Sequence, residues 1–390
     1  MPKQKNGQND MNKWKKVKIS DSFILQMGKT PSRNEPSFWN NPLYNWVSIS
    51  DMNQKYICST KEKISPIALE KTGIKKVPKG TIMLSFKLSL GKVSISALDL
   101  YTNEAIMSFF PKNKNEWNID FLYNYFKWLD WGKKAQKAVK GSTLNKNRLG
   151  NIEIPLPAME EQKKIAARLD AVSDLLAKQK QLLSEQDNLI KSVFYDLLNK
   201  GMNEKKNIAS LVNPKIEKIS KHFSDSDQIK YIDISSINNE SFSIDKTTEY
   251  LVKNAPSRAQ QHVKKDDVLI STVRPNLKNI AIVKNTDKNL IASSGFCVLR
   301  AEKCFPSFLF HTVLSDKFTI DMTKRTKGAN YPAISSTDVL NYEIPVPPLE
   351  LQQKFAAIVE QIESEKSKIK SAIAETQPLF NALMAEYFED

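Results

Sequence analysis

The sequence predicts an α+β chain in which two pseudo-repeated, mixed α/β globular units are separated by two long helices that pair as an antiparallel coiled coil. Three observations carry this. Asn151-Ile152-Glu153-Ile154-Pro155-Leu156-Pro157 returns 190 positions later as Asn341-Tyr342-Glu343-Ile344-Pro345-Val346-Pro347. Each copy runs into a long stretch whose apolar residues recur with 4-3 spacing. Ahead of each copy lie short β-branched runs with turn residues between them.

The reading along the chain is a disordered N-terminus (1–11), a first globular unit (12–157), a central helix (158–200), a second globular unit (201–347) and a C-terminal helix (348–390). In the first unit Ile82–Ser85, Val93–Ala97 and Ile106–Phe110 read as strands, and Asp120–Lys140 as a helix. In the second unit Val268–Ser271, Ile280–Val283 and Phe296–Leu299 read as strands, and Ser307–Lys324 as a helix. The copies agree beyond the joints: Trp46–Met52 matches Tyr231–Ile237, and Val77–Ser85 matches Val263–Ser271. Prolines 155, 157, 345, 347 and 348 force the preceding residues extended, so each unit meets its helix at a sharp joint.

The central helix carries Ile165, Leu169, Val172, Leu176, Gln179, Leu183, Gln186, Ile190, Val193 and Leu197 at heptad core positions. The C-terminal helix carries Phe355, Val359, Ile362, Lys366, Ile369, Ile373, Thr376, Phe380, Leu383 and Tyr387 in the same register. Four repeats of such spacing predict a coiled coil. Leu175, Leu182 and Leu189 form a second column that widens the stripe, and a further packing partner is expected there. Pro378 is expected to interrupt the C-terminal helix and kink it near Thr376. If the two helices run antiparallel, the C-terminus returns to the first unit.

Charge is uneven. The chain has a net charge of +15, yet residues 158–200 sum to zero and residues 348–390 to −4, so residues 1–157 hold +14 and residues 201–347 hold +5. The positive field therefore belongs to the globular units, as in a polyanion binder. No apolar run of membrane-spanning length and no apolar N-terminal segment occurs, so a soluble chain without a signal peptide is expected. Three unpatterned cysteines fit a reducing cytoplasm. His222, His262 and His311 show no metal-ligand spacing, and no metal is expected.

Catalytic motifs are missing. Eleven glycines are scattered, no two within five residues, which leaves no phosphate loop, no dinucleotide turn and no adenosylmethionine loop. Asn41-Pro42-Leu43-Tyr44 approaches the Asn-Pro-Pro-Tyr signature of amino-methyltransferases but lacks its cofactor loop. No catalytic residue is expected. What remains is basic, polar loops. The first unit offers Lys87, Ser89 and Lys92, then Lys140, Ser142, Thr143, Asn145, Lys146 and Arg148. The second offers Arg274, Asn276, Lys278 and Asn279, then Arg325, Lys327, Asn330 and Tyr331. Lys and Arg hold phosphates, while Arg, Asn, Ser and Thr reach base edges. The loops differ between copies while the strands around them agree, as two different readers on one scaffold would.

With its two Ile-Pro-Leu/Val-Pro joints, each followed by Glu-Glu-Gln or Glu-Leu-Gln and a coiled-coil helix, the chain resembles the specificity subunit of Type I restriction-modification systems. The strand entries Val77–Ser85 and Val263–Ser271, and Ser294-Gly295-Phe296, add to the likeness. The resemblance covers the chain from about Trp14 onward. It implies two target-recognition domains, each reading half of an asymmetric bipartite site in double-stranded DNA, with the helices fixing the unread gap. It implies two methyltransferase subunits docked on the helices and motor-nuclease subunits recruited to the complex, with no membrane involved. S-adenosylmethionine, ATP and Mg would be bound by those partners and none by this chain. The sequence departs from exact repetition at Asn103–Ile106 against Ser293–Phe296, and at Glu161 against Leu351. The competing readings are a basic coiled-coil adaptor without sequence-specific DNA recognition, and an enzyme acting alone.

Overall fold

The repeated Ile-Pro joints are strands. In the computed structural model, which describes residues 14–136, 144–199, 204–328 and 332–389, Glu153–Leu156 pairs antiparallel with Lys15–Lys18, Pro155 opposite Lys16. Glu343–Val346 pairs likewise with Glu204–Asn207, Pro345 opposite Lys205. Each pair is a two-stranded ribbon, so a proline lacking an N–H breaks no ladder with a third strand. The expected disordered N-terminus (1–11) lies outside the described residues, as do Lys140, Ser142, Thr143, Asn330 and Tyr331.

The chain forms two compact units: Met1–Lys180 with Ala372–Asp390, and Gln181–Ser371. In the first, a five-stranded sheet takes its strands in the order Phe23–Met27, Ile106–Pro111, Ile82–Ser85, Val93–Ser96 and Tyr56–Ile57. A three-stranded sheet holds Tyr44–Val47 between Glu62–Ile64 and, in parallel, Tyr101–Thr102. The second unit repeats this core: Gln228–Ile232 runs parallel to Leu290–Ser293, and Val268–Ser271 is flanked antiparallel by Ile280–Ile282 and Phe296–Leu299. The matched segments Trp46–Met52 and Tyr231–Ile237 even share a capping box with its members exchanged. Ser48 and Asp51 bond reciprocally in one, Asp233 and Ser236 in the other.

Both expected long helices exist, as Met159–Asn199 and Leu349–Phe388. Within the first unit their segments run antiparallel, with Arg168 Nη1 bonded to Tyr387 Oη (2.9 Å) and Gln179 Nε2 to Thr376 Oγ1 (3.3 Å). Within the second, Gln186 Nε2 reaches Glu365 (3.2 Å), and the Phe194 and Phe355 rings lie 5.7 Å apart, again antiparallel. The expected heptad residues are all buried or half-buried on these segments, whereas Leu175, Leu182 and Leu189 are 46–48% exposed. Two polar core positions, Gln179 and Gln186, each pair with a polar partner across the seam, a device that penalises slipped registers. The C-terminal residues Met384, Tyr387 and Phe388 enter the first unit's core beside Phe121, Tyr125 and Phe126, and Trp128 Nε1 donates to Phe388 O (3.1 Å).

Three expectations about helices need correction. Asp120–Lys140 is not one helix: Ile119–Trp128 stops at Leu129, whose extended ψ lets Asp130 Oδ1 accept from Lys133 N (3.0 Å) and restart Trp131–Gln136. Ser307–Lys324 is likewise split into Pro306–Leu314 and Asp316–Lys324, because Ser315 is extended and its hydroxyl caps Phe318 N. Pro378 does not interrupt the C-terminal helix, which continues unbroken to Phe388. The packing of Met384, Tyr387 and Phe388 outweighs one lost backbone bond.

A buried glutamine locks each joint. Gln162 is fully buried; its Nε2 donates to Pro157 O (2.9 Å) and Glu116 O (2.8 Å), and its Oε1 accepts from Asn118 N (2.8 Å). Gln352 is buried in the same way, donating to Pro347 O (2.8 Å) and accepting from Phe305 N (3.0 Å). One amide thus ties the joint, the start of the long helix and the entry to the next helix of the globular part.

Candidate nucleic-acid interface

In the first unit, Phe86–Lys92 closes the hairpin between Ile82–Ser85 and Val93–Ser96. Ser85 Oγ accepts from Lys92 N (2.9 Å) and donates to Ser89 O (2.5 Å), which pins the base of the loop. Leu88 stands at its tip, 91% exposed and at φ 60°. Lys87 and Ser89 flank that tip. Lys92 instead turns inward, its Nζ bonded to Asn53 Oδ1 (2.9 Å) and Ile49 O (3.2 Å), so it braces the loop. Asn145 is also occupied locally, since its Oδ1 accepts from Arg148 N (2.9 Å) and caps the short helix Lys146–Gly150. Lys146 is exposed and Arg148 half-buried on that helix.

In the second unit, the two predicted loops are brought together. Arg274 N donates to Pro332 O (2.8 Å), and Ala333 bridges both Val273 and Lys327. Arg274 and Lys278 both sit in the left-handed region, at φ 51° and 50°, on either side of the turn Pro275–Leu277. That conformation is costly for non-glycine residues, and such strain gathers at functional segments. Asn276 is exposed on the turn, and Asn279 is half-buried. Lys278 Nζ lies 2.5 Å from Asp316 Oδ1 and 3.3 Å from Leu314 O; that hydrogen bond holds the Asp316 carboxyl below its usual range. Arg325 Nη1 donates to Asp338 O (3.2 Å) and its guanidinium lies 5.4 Å from the Tyr342 ring. Sequence reasoning missed the neighbouring hairpin Ile237–Ile244. Its Asn239 Nδ2 donates to Leu277 O (3.0 Å), and it borders a polar hollow lined by Ser235, Asn238, Glu240 and Lys246. The Asn-Asn-Glu-Ser turn at 238–241 was the available signal.

Each globular part is also tied to its own helix segment by lysine. In the first unit, Lys55 Nζ bridges Asp120 (2.8 Å) and Asp170 (2.7 Å); burial lowers its pKa, but the two carboxylates outweigh this and raise it. In the second, Lys284 and Lys366 both bond Glu363, at 2.7 and 2.6 Å. Burial pushes that carboxyl up, yet the two ammonium groups hold it at about 2.

The profile of the family described as Type I restriction modification DNA specificity domain matches residues 11–185 and again 203–376. The chain belongs to this family. Among its relatives, the Type I restriction enzyme MjaIX specificity subunit of Methanocaldococcus jannaschii is 26% identical over 386 residues, covering 90% of this chain and 86% of that one. The EcoR124I/EcoR124II specificity subunit of Escherichia coli is 29% identical over 157 residues, 38% of each chain. The fold matches the crystal structure of the S subunit of the Type I system from M. genitalium (TM-score 0.60, 16% identity, 99% and 98% of the two chains). It also matches a chain from a study of complex assembly and conformational transition of the type I R-M system (TM-score 0.54, 18% identity, 97% and 98% covered). The specificity-subunit resemblance and the two-unit architecture with long helices read from the sequence are both borne out. As a member of this family, the protein is a DNA sequence-recognition subunit of a Type I restriction-modification system. Among the described residues, no helix is long and apolar enough to cross a membrane.

Proposed function

We propose that each globular part is a target-recognition domain reading one half of an asymmetric bipartite site in double-stranded DNA. The observation that carries this is a shared framework with different loops. The paired strands and caps repeat, whereas Phe86–Lys92 and Thr272–Asn279 differ in length, backbone conformation and chemistry. On this reading Lys87, Ser89, Lys146 and Arg148 are contacts of the first domain. Arg274, Asn276, Arg325 and Lys327 are those of the second. Lys92, Asn145 and Lys278 act mainly by bracing, because their polar groups already serve the protein. Lys140, Ser142, Thr143, Asn330 and Tyr331 stay candidates on sequence grounds, as does the half-buried Asn279, whose backbone carbonyl accepts from Ser271 N.

The long helices set the unread gap and dock two methyltransferase subunits, with motor-nuclease subunits joining the assembly. The exposed Leu175, Leu182 and Leu189 column supports this, since soluble helices seldom leave three leucines at seven-residue spacing uncovered. The chain itself is non-catalytic and works in the cytoplasm. S-adenosylmethionine, ATP and Mg are bound by its partners.

The test is methylation mapping by long-read sequencing after co-expression with the methyltransferase subunit. One bipartite motif with a fixed gap, absent without this chain, is expected. Arg274→Ala or Lys327→Ala is expected to weaken recognition at one half only; equal loss at both halves would overturn the two-reader assignment. Binding of the assembled complex to DNA is expected to fall steeply with salt, as phosphate neutralisation requires.

A further inference from the structure

Two of the three histidines, His222 and His262, look unrelated in the sequence yet converge in the second unit. Glu217 and His262 face each other across a backbone bond, His262 N to Glu217 O (2.9 Å), beside the bridge between Lys218 and Gln261. The turn Ile219–Lys221 then folds His222 back over them, so the two imidazole centroids lie 4.8 Å apart. His222 Nε2 is 3.2 Å and His262 Nδ1 3.7 Å from Glu217 Oε2, and the three ligand atoms all lie within 4.8 Å of one another.

His262 has the preparation of a metal ligand. Only 7% exposed, it donates from Nε2 to Lys288 O (2.9 Å). That fixes the tautomer and leaves Nδ1 as a bare lone pair, the outer-shell arrangement usual for a ligating histidine. Nδ1 is buried without a hydrogen-bond partner and faces Glu217 Oε2, whose atom is likewise covered from solvent. A lone pair and a carboxylate oxygen facing each other at 3.7 Å repel unless a cation sits between them. Lys264 Nζ, 3.2 Å from the same oxygen, relieves Glu217 but is itself half exposed and can swing to solvent. The nearby Arg300 is already neutralised by two bonds to Asp267 (2.8 and 2.7 Å).

We propose that Glu217, His222 and His262 form a binding site for one divalent transition-metal ion of the zinc class, which staples residues 217–222 to the strand Ala259–His262. Two imidazoles, one carboxylate and an open position suit Zn²⁺ among biological metals. Ligand atoms around a tetrahedral zinc lie about 3.3 Å apart at metal–ligand distances of ~2.0–2.1 Å. The two distances to Glu217 are near that, and a rotation of the more exposed His222 closes the third. In the absence of metal, Lys264 takes the position of the cation. The role is structural, because no DNA-loop candidate belongs to the cluster.

Full-length, tag-free protein, stripped with chelator, would be titrated with Co²⁺ and then Zn²⁺. One Co²⁺ per chain with a tetrahedral-type visible spectrum, displaced by Zn²⁺, is expected, together with a thermal midpoint that rises with Zn²⁺ concentration. Glu217→Gln and His262→Ala are expected to lose the spectrum. His222→Ala, at a more exposed position that leaves the fold intact, should weaken binding by more than the ~10–100-fold typical of outer-shell losses. Lys264→Ala should tighten binding, and Cys58→Ser should leave the spectrum unchanged. No spectrum in the parent chain, an undiminished Co²⁺ affinity in His222→Ala, or a spectrum lost in Cys58→Ser would overturn the assignment.

Discussion

Replacing Gln162 with Ala is expected to loosen the first globular part from its helix segment, and the size of the effect follows from the contacts. The substitution removes three hydrogen bonds and leaves two carbonyls and one N–H without this partner, Pro157 O in a buried place and Glu116 O and Asn118 N in part-buried ones. A neutral bond is worth a net ~0.5–1.5 kcal/mol, and a stranded buried group costs ~1–3 kcal/mol, so with partial relaxation the loss is about 4 kcal/mol. At a urea m-value of about 2 kcal/mol/M, the unfolding midpoint falls by ~2 M. The protein supplies its own reporter. All six tryptophans lie between Trp14 and Trp131, so intrinsic fluorescence follows the first unit alone. Gln352→Ala, with two bonds at stake in the second unit, should leave the tryptophan transition unmoved while lowering the far-ultraviolet circular dichroism midpoint. A fluorescence shift below about 0.3 M for Gln162→Ala, or an equal shift for Gln352→Ala, would refute the claim that each glutamine locks its own joint.

Acid should weaken the second unit through Glu363. Its folded pKa, about 2, lies below the ordinary carboxylate value, so its contribution is present above pH ~4.3 and disappears as pH falls towards 2. Glu363→Gln should flatten that part of the stability–pH curve by on the order of 1–2 kcal/mol after solvent screening, as read by urea midpoints from pH 6 to 2. Leu182→Asp, at a position 46% exposed, should leave the isolated chain's melting curve within error yet reduce co-purification with the methyltransferase subunit. Intact co-purification would count against docking on the leucine column. Inserting seven residues in register into both long helices should lengthen the gap in the methylated motif; an unchanged gap would remove the ruler role.

Features that depend on near neighbours and on repetition can be read along the chain. The heptad columns, the extended residues before Pro155 and Pro345, the strand runs at Ile82–Ser85 and Val268–Ser271, and the basic units beside neutral or acidic helices were all legible there. Periodicity and steric restriction act over a few residues, so they survive in a linear reading. The helix breaks at Leu129 and Ser315 escaped it, because a single extended residue followed by a polar cap leaves little mark on an apolar pattern. The unbroken helix at Pro378 escaped it because a core contact contributed by distant residues decided the outcome. The candidate site divided along the same line. That the loops are polar and differ between copies was visible; that Lys92 and Asn145 are consumed within their own domain, that Lys278 is paired with Asp316, and that Ala333 joins two loops was not. Gln162 beside Asn118, and Glu217 beside His262, are pairings of residues more than forty positions apart. Their partners are chosen by how strands and helices pack. They become visible in three dimensions alone, because burial is what makes an unpaired amide or imidazole costly enough to select its neighbour.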